Sequence, residues 1–341
     1  LGDVYKRQTN NSPATVNKTM NRRTCLATLA TTAISRTLGA GTTPPPKAQI
    51  AITLDLEMSR NFPTRDSTHW DYEKGNLNEE TKRYSVEAAK IVKQSGGRIH
   101  FFAVGRVFEQ PDITWLKSIV EDGHPVGNHT YDHINLTAGK VEDLQFRFQR
   151  APWLLRGQPL HHAIRENIQI TNAAMKNRLG IKPAGFRTPG GFANGLRDHA
   201  ASRSILKELG FEWVSSLYPA HPYTMPKQKP DAKVVDGIVA ALAKAQPFRY
   251  PDGMLEIPMS PISDIGAFRT GQWNLEWYLD TLKACLEKTI DQGLVFDFLA
   301  HPSCLYVVDP EFKAIRLICE LATRHASKAK LTDLNQIAAM S

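Results

Sequence analysis

Cysteine is scarce and never arranged as CxxC: four occur in 341 residues, at positions 25, 285, 304 and 319. That excludes a disulfide framework and a cysteine-held zinc site, and Cys285, Cys304 and Cys319 read as small apolar core residues. Long hydrophobic runs are missing as well. The stretch from Leu26 to Leu38 is too short, and too rich in Thr and Ala, to span a bilayer, so no stable membrane insertion is expected. No repeat of fixed period appears, and no low-complexity tract beyond the proline cluster at 44–46. The net charge of +8 is unevenly spread. Residues 1–40 carry six basic side chains against one acidic, and the rest holds 36 against 33. So balanced a body lacks the electrostatic footprint of a nucleic-acid partner.

The basic head has an order of its own. Met20-Asn-Arg-Arg-Thr-Cys25 leads into the short apolar run and then Gly39-Ala40, the layout of a signal peptide, and it resembles a twin-arginine export signal. The expected organisation is therefore non-native read-through at 1–19, a signal peptide at 20–40, a proline-rich linker at 41–47 and one catalytic domain at 48–341. The expected location is periplasmic or extracellular.

From residue 48 onward, apolar runs alternate with helical periodicity. Strands are expected at 48–56, 98–104, 124–128, 184–187, 212–216, 254–259 and 294–300. Helices are expected at 79–94, 113–122, 141–150, 166–179, 198–209, 275–292 and 310–326. The segment 218–248, rich in Pro, Lys and Ala, reads as an insertion carrying one short helix. Such βα alternation predicts a parallel sheet or barrel.

Four polar clusters fall at the C-terminal ends of expected strands, where a βα barrel gathers its catalytic groups. They are Asp55 with Glu57, His129 with His133, Arg187 with Pro189 and Gly191, and His301. Each alone has an ordinary reading. Asp55 and Glu57 would suit a cap or a surface ion pair, the two histidines hydrogen-bonded loop positions, Arg187-Thr-Pro-Gly-Gly a turn, and His301 a strand end. Their joint occurrence in this order is what ordinary readings do not explain.

His129-Thr-Tyr-Asp-His133 resembles the HTxxH metal-binding motif of the polysaccharide deacetylases, the NodB homology domain of the fourth carbohydrate esterase family. Phe186-Arg-Thr-Pro-Gly-Gly191 is similar to that family's RxPxG motif, and Leu299-Ala-His301 to its terminal LxH. The resemblance implies an α/β fold, a distorted (β/α) barrel. It implies a divalent metal, zinc by expectation, on His129 and His133, with Asp55 as general base and His301 as general acid. Arg187 would pair with Asp55, and Leu299 would wall the pocket for the acetyl methyl. The first motif departs from the family's two adjacent aspartates: it reads Asp55-Leu-Glu57, and Leu56 cannot ligate a metal. On a strand the i, i+2 spacing points both carboxylates one way, which lets Glu57 complete the metal site. A second departure is Val214, where relatives carry an aspartate; Asp264 is the candidate to supply that support. Trp70 and Tyr72, in the loop after the first strand, are candidate sugar-stacking residues balanced against core packing, with Pro189 beside them as a substrate contact. His69 is a weaker ligand candidate, and His161-His162 reads as surface.

The expected activity is removal of acetyl groups from an N- or O-acetylated polysaccharide by metal-activated water. The alternatives are an amidase on a small linear or cyclic amide, as in allantoinase-like relatives, and a carbohydrate-binding relative without catalysis. The expected partner is an acetylated glycan; oligomeric state is left open. Translation is predicted to start at Met20, with the exported protein beginning near Gly41; N-terminal sequencing of secreted material checks this, and an intact cytoplasmic chain would count against export.

Overall fold

The computed structural model describes residues 46–67 and 74–341. The candidate residues His69, Trp70 and Tyr72 lie outside the described residues, as do the segments expected as read-through and signal peptide.

Among the described residues nine strands form one mixed sheet: β1 (Ala48–Leu56), β2 (Ile99–Ala103), β3 (Val126–Asn128), β4 (Gly185–Phe192), β5 (Trp213–Leu217), β6 (Phe248–Arg249), β7 (Leu255–Glu256), β8 (Val295–Ala300) and β9 (Ala329–Thr332). The order is β6-β7-β5-β4-β3-β2-β1-β8, and every pairing is parallel except β6 with β7. β1 serves three neighbours. β8 pairs along one edge, while the other is divided between β9, opposite Ala48 to Ala51, and β2, opposite Ile52 to Leu56.

The fold is a mixed α/β structure with a curled sheet, a distorted (β/α) barrel. No regular ladder joins β7 to β8 among the described residues. The gap is bridged by an irregular segment: the Ile257 and Met259 amides donate to Val214 and Leu217 of β5, and the Ser260 amide donates to the Asp297 carbonyl of β8. The strand expected at 254–259 shrinks to Leu255–Glu256 because Pro258 has no N–H to continue the ladder.

Strand parity sorts side chains between two environments. Along β1, Ile50, Ile52, Leu54 and Leu56 face the outer helices in the main apolar core, whereas Ala51, Thr53 and Asp55 face the barrel interior. The interior floor is Ala51, Phe102, Trp213, Leu255 and Ile257, with Leu334 and Ile337 of the last helix (Leu334–Ala338) plugging it. Two glycines make room for the large rings: a Cβ on Gly127 would stand 2.4 Å from the Phe102 ring and one on Gly185 1.9 Å from the Trp213 indole.

The long helices Glu79–Gln94 and Leu275–Gln292 begin on Asn78 and Asn274, whose side chains accept amide hydrogens of the first turn. The helix expected at 141–150 is broken at Gln145, which is extended and caps the second piece by accepting from the Arg147 amide. The helix Leu160–Leu179 starts earlier than its periodicity suggested and carries His161 and His162 exposed in its first turn. The helix expected at 310–326 is Lys313–Arg324, and a short helix that the periodicity did not suggest, Pro302–Val308, precedes it. Among the described residues no helix is long and apolar enough to cross a membrane.

Gly185→Ala is predicted to overpack the floor against Trp213 and to lower stability by about 2 kcal/mol, read from the midpoint of chemical denaturation.

Candidate active site

The end of β1 brings Asp55 and Glu57 into a closed, polar space, each 4 % exposed. β3 ends in Asn128, whose side chain accepts from the Thr130 amide and starts a tight loop. Thr130 and His133 both adopt left-handed backbone conformations, φ 56° and 57°. A non-glycine residue there costs about 1–2 kcal/mol. The Thr130 hydroxyl, which accepts from the Ile134 amide, and the Asn167 side-chain oxygen Oδ1, which accepts from the Tyr131 and Asp132 amides, hold the loop in that shape. The loop returns His133 beside His129, with ring centroids 4.9 Å apart.

His129 Nε2 lies 3.7 Å from Glu57 Oε2, and His133 Nε2 lies 2.9 Å from the same oxygen. These three atoms form a cluster within 4.8 Å that could hold a metal ion. Ligands about 2.1 Å from a tetrahedral ion stand roughly 3.4 Å from one another, and the observed separations straddle that value. The donor chemistry also fits. Glu57 Oε2 is buried and makes no hydrogen bond, an unmet lone pair where a cation would lie. Burial raises the Glu57 carboxyl, but His133 and Lys74 outweigh it and hold it well below the usual carboxylate range. Burial pushes His129 far down and His133 down, towards the neutral form that ligates metal. His129 Nδ1 donates to the Arg187 carbonyl at 2.9 Å, which turns the Nε2 lone pair towards Glu57.

Asp55 and His301 flank this cluster. Asp55 Oδ2 is 3.8 Å from His129 Nε2 and 3.9 Å from His301 Nε2, and Asp55 Oδ1 is buried without a hydrogen bond. Burial pushes the Asp55 carboxyl up to about 6, against the opposing pull of Arg187 and His301. His301 follows β8 and is gripped twice by Asp264, which accepts from its backbone amide at 2.7 Å and from Nδ1 at 3.0 Å. Burial would lower the imidazole, yet Asp264 overrides it and raises His301 above its ordinary value. Asp264, the candidate for that support in the sequence, therefore holds His301.

Arg187 pairs with two carboxylates. The expected ion pair with Asp55 is present, with Nη1 3.7 Å from Oδ1 and no hydrogen bond between them. The closer partner, which the sequence did not point to, is Asp297 on β8, 2.6 Å from Nη2. Thr53 joins them: its hydroxyl donates to Asp297 at 2.7 Å and accepts from Arg187 at 3.1 Å. The guanidinium also lies 4.5 Å above the Phe102 ring. A distance of 3.7 Å leaves Arg187 as a neighbouring charge for Asp55, not a clamp. Asp297 was missed, although a lone carboxylate within the apolar run Val-Phe-Asp-Phe-Leu-Ala is itself a sign of a buried partner. Lys74, 2.5 Å from Glu57 Oε1, was missed too, and no motif marks it.

Leu299 is 9 % exposed and shares the face of β8 that carries Asp297. Pro189 is buried in a bulged part of β4, where five residues from Arg187 to Phe192 advance against two in β5. With His133, Asn135, Glu142, Gln145 and Phe146 it lines a cavity of about 240 Å³ beside the cluster.

Residues 70–214 match the family model described as polysaccharide deacetylase, a span that includes His129, His133 and Arg187 but not Asp55, Glu57 or His301. The uncharacterized protein YlxY of Bacillus subtilis (strain 168) is 25 % identical over 126 residues, 36 % of this chain. That match spans about a third of the relative's own length, 32 %. A probable polysaccharide deacetylase from Pseudomonas aeruginosa PAO1 superposes with a TM-score of 0.59 at 15 % identity, covering 90 % of this chain and 97 % of that one. Puue allantoinase superposes with a TM-score of 0.58 at 16 % identity, covering 91 % and 97 %. At such identities the two superpositions establish the fold alone.

Asp297→Ala is predicted to strand the buried Arg187 charge and to cost about 3–5 kcal/mol of stability, measured by denaturant unfolding; a loss below about 1 kcal/mol, the range of an exposed pair, would mean that Asp55 takes over the pairing.

Proposed function

Since the chain belongs to the polysaccharide deacetylase family, we propose that it is a metal-dependent hydrolase that removes acetyl groups from an N- or O-acetylated polysaccharide. The observation that carries this reading is the convergence of three metal-type donors, Glu57, His129 and His133, with a carboxylate and a supported imidazole on their flanks.

A divalent ion held by these three residues, which we take to be zinc, would polarise the acyl carbonyl and acidify a water. Asp55 is the base. With its carboxyl near 6 it is largely ionised at neutral pH yet basic enough to accept a proton. His301 is the acid: Asp264 occupies Nδ1 and leaves Nε2 facing the site, where its proton can pass to the departing amine or alkoxide oxygen. Arg187, fixed by Asp297, favours the charged form of Asp55 from a distance. Leu299 would meet the acetyl methyl. The cavity beside His133, with the Phe146 ring and the Asn135 and Gln145 amides around it, supports a sugar chain extending past the reacting unit over a small isolated amide. Trp70 and Tyr72 would add stacking from the loop after β1. An exported location fits this substrate, because a polymer does not enter the cell.

The test is acetate release by zinc-loaded protein from a panel of N- and O-acetylated glycans. Activity that vanishes with a chelator and returns with zinc is expected; metal loading without acetate release from any glycan, but with hydrolysis of a small amide, would replace this reading. His301→Ala should keep fold and metal, lose about 10²–10⁴-fold on the amide, and lose far less on an activated ester whose leaving group needs no proton. Equal losses on both would show that another group is the acid.

A further inference from the structure

Lys74 lies in the connection between β1 and the helix Glu79–Gln94, and its ammonium is buried against a candidate metal ligand. Its side chain is 6 % exposed and that of Glu57 5 %, with 2.5 Å between Nζ and Oε1. The two oxygens of Glu57 are thereby assigned different work. Oε1 faces Lys74 and, at 3.7 Å, His301 Nε2. Oε2 faces His133 and His129 and makes no hydrogen bond.

The backbone holds Lys74 there. Its carbonyl accepts from the Met58 amide at 2.8 Å, one residue beyond Glu57. The next residue, Gly75, presses on the turn Gly105–Glu109 so closely that a Cβ would stand 2.3 Å from Arg106 Cβ and 2.6 Å from the Val107 amide nitrogen. Lys74 is thus delivered by a fixed piece of chain. Burying an ammonium costs several kcal/mol unless a partner compensates it, and Glu57 is the partner placed to do so.

We propose that Lys74 is a positioning residue that holds Glu57 to the metal through Oε2 alone and so keeps a coordination position open for water and substrate. A glutamate carboxylate with no second partner is free to present both oxygens to one ion. Two oxygens would fill a position that a hydrolytic metal site must leave open. The inference rests on the metal reading given above and adds the residue that sets the ligand's mode.

The cobalt(II)-substituted protein tests it, because the visible absorption of cobalt weakens as its coordination number rises from four. Lys74→Met should bind one cobalt per chain with visible intensity lowered about twofold or more, while Lys74→Arg, which can still donate to Oε1, should keep the wild-type spectrum. An unchanged spectrum in folded, fully loaded Lys74→Met overturns the inference. Should Lys74→Met fail to fold, the crystal structure of the zinc-loaded wild type decides: Glu57 bound through Oε2 with Lys74 on Oε1 supports it, and Glu57 bound through both oxygens overturns this inference alone. Wild-type protein that takes up no divalent ion would overturn the metal reading and this inference together.

Discussion

The buried pair of Arg187 and Asp297 is the constraint on which the site depends. Both side chains are fully excluded from solvent in the barrel interior, where an unpaired charge would cost several kcal/mol. Satisfying them requires β4, β8 and β1 to meet in one register, since Thr53 of β1 donates to the carboxylate and accepts from the guanidinium. Once that register is set, the consequences run upward along each strand. On β1, Asp55 follows Thr53 on the same face, and Glu57 comes just past the strand's end. On β8, Leu299 follows Asp297 in the same way, and His301 comes just past the end. On β4, the carbonyl of Arg187 itself receives the His129 Nδ1 proton. A single buried ion pair in the barrel interior therefore helps to align base, acid and metal ligands.

Above that pair, opposite charges are apportioned so that neighbouring groups titrate differently. Asp55 is buried more heavily than the Arg187 and His301 charges offset, and is pushed up to about 6. Glu57, two residues on, has His133 and Lys74 against it and is held ionised. His129 and His133 are driven towards neutrality by burial, while His301, equally enclosed, is raised because Asp264 sits on its far nitrogen. Asp55, Glu57 and the three imidazoles stand within one cluster, and their separate roles follow from which second residue each one touches.

The sheet is irregular where the chemistry needs room. β4 bulges through Thr188-Pro-Gly-Gly191 directly after Arg187, which lifts Pro189 and Gly190 towards the cavity beside His133. The strap from Ile257 to Ser260 replaces a regular strand between β5 and β8, and it leads into the segment that carries Asp264 to His301. Local periodicity does not register either feature, because Pro258, Pro189 and the paired glycines break the pattern that defines a strand.

Much of this was legible before any coordinates. β1, the helices Glu79–Gln94 and Leu275–Gln292, and the placement of Asp55, Glu57, His129, His133, Arg187 and His301 at strand ends follow from apolar runs, caps and motif spacing, all local properties of the chain. The i, i+2 spacing also led to the expectation that Asp55 and Glu57 converge; they do, with Glu57 just past the strand in a turn where its amide donates to the Asp55 carbonyl. What the sequence could not decide were the partners. Arg187 bonds most closely to Asp297, 110 residues further along the chain, and stands farther from Asp55, because the fold brings β8 nearest to its Nη2 in the barrel interior. Asp264 reached His301 through an irregular strap, and Lys74 reached Glu57 from a loop without any motif. Those contacts arise where distant strands and loops are packed into one low-dielectric space, and the energies that select them do not exist until the tertiary structure excludes water.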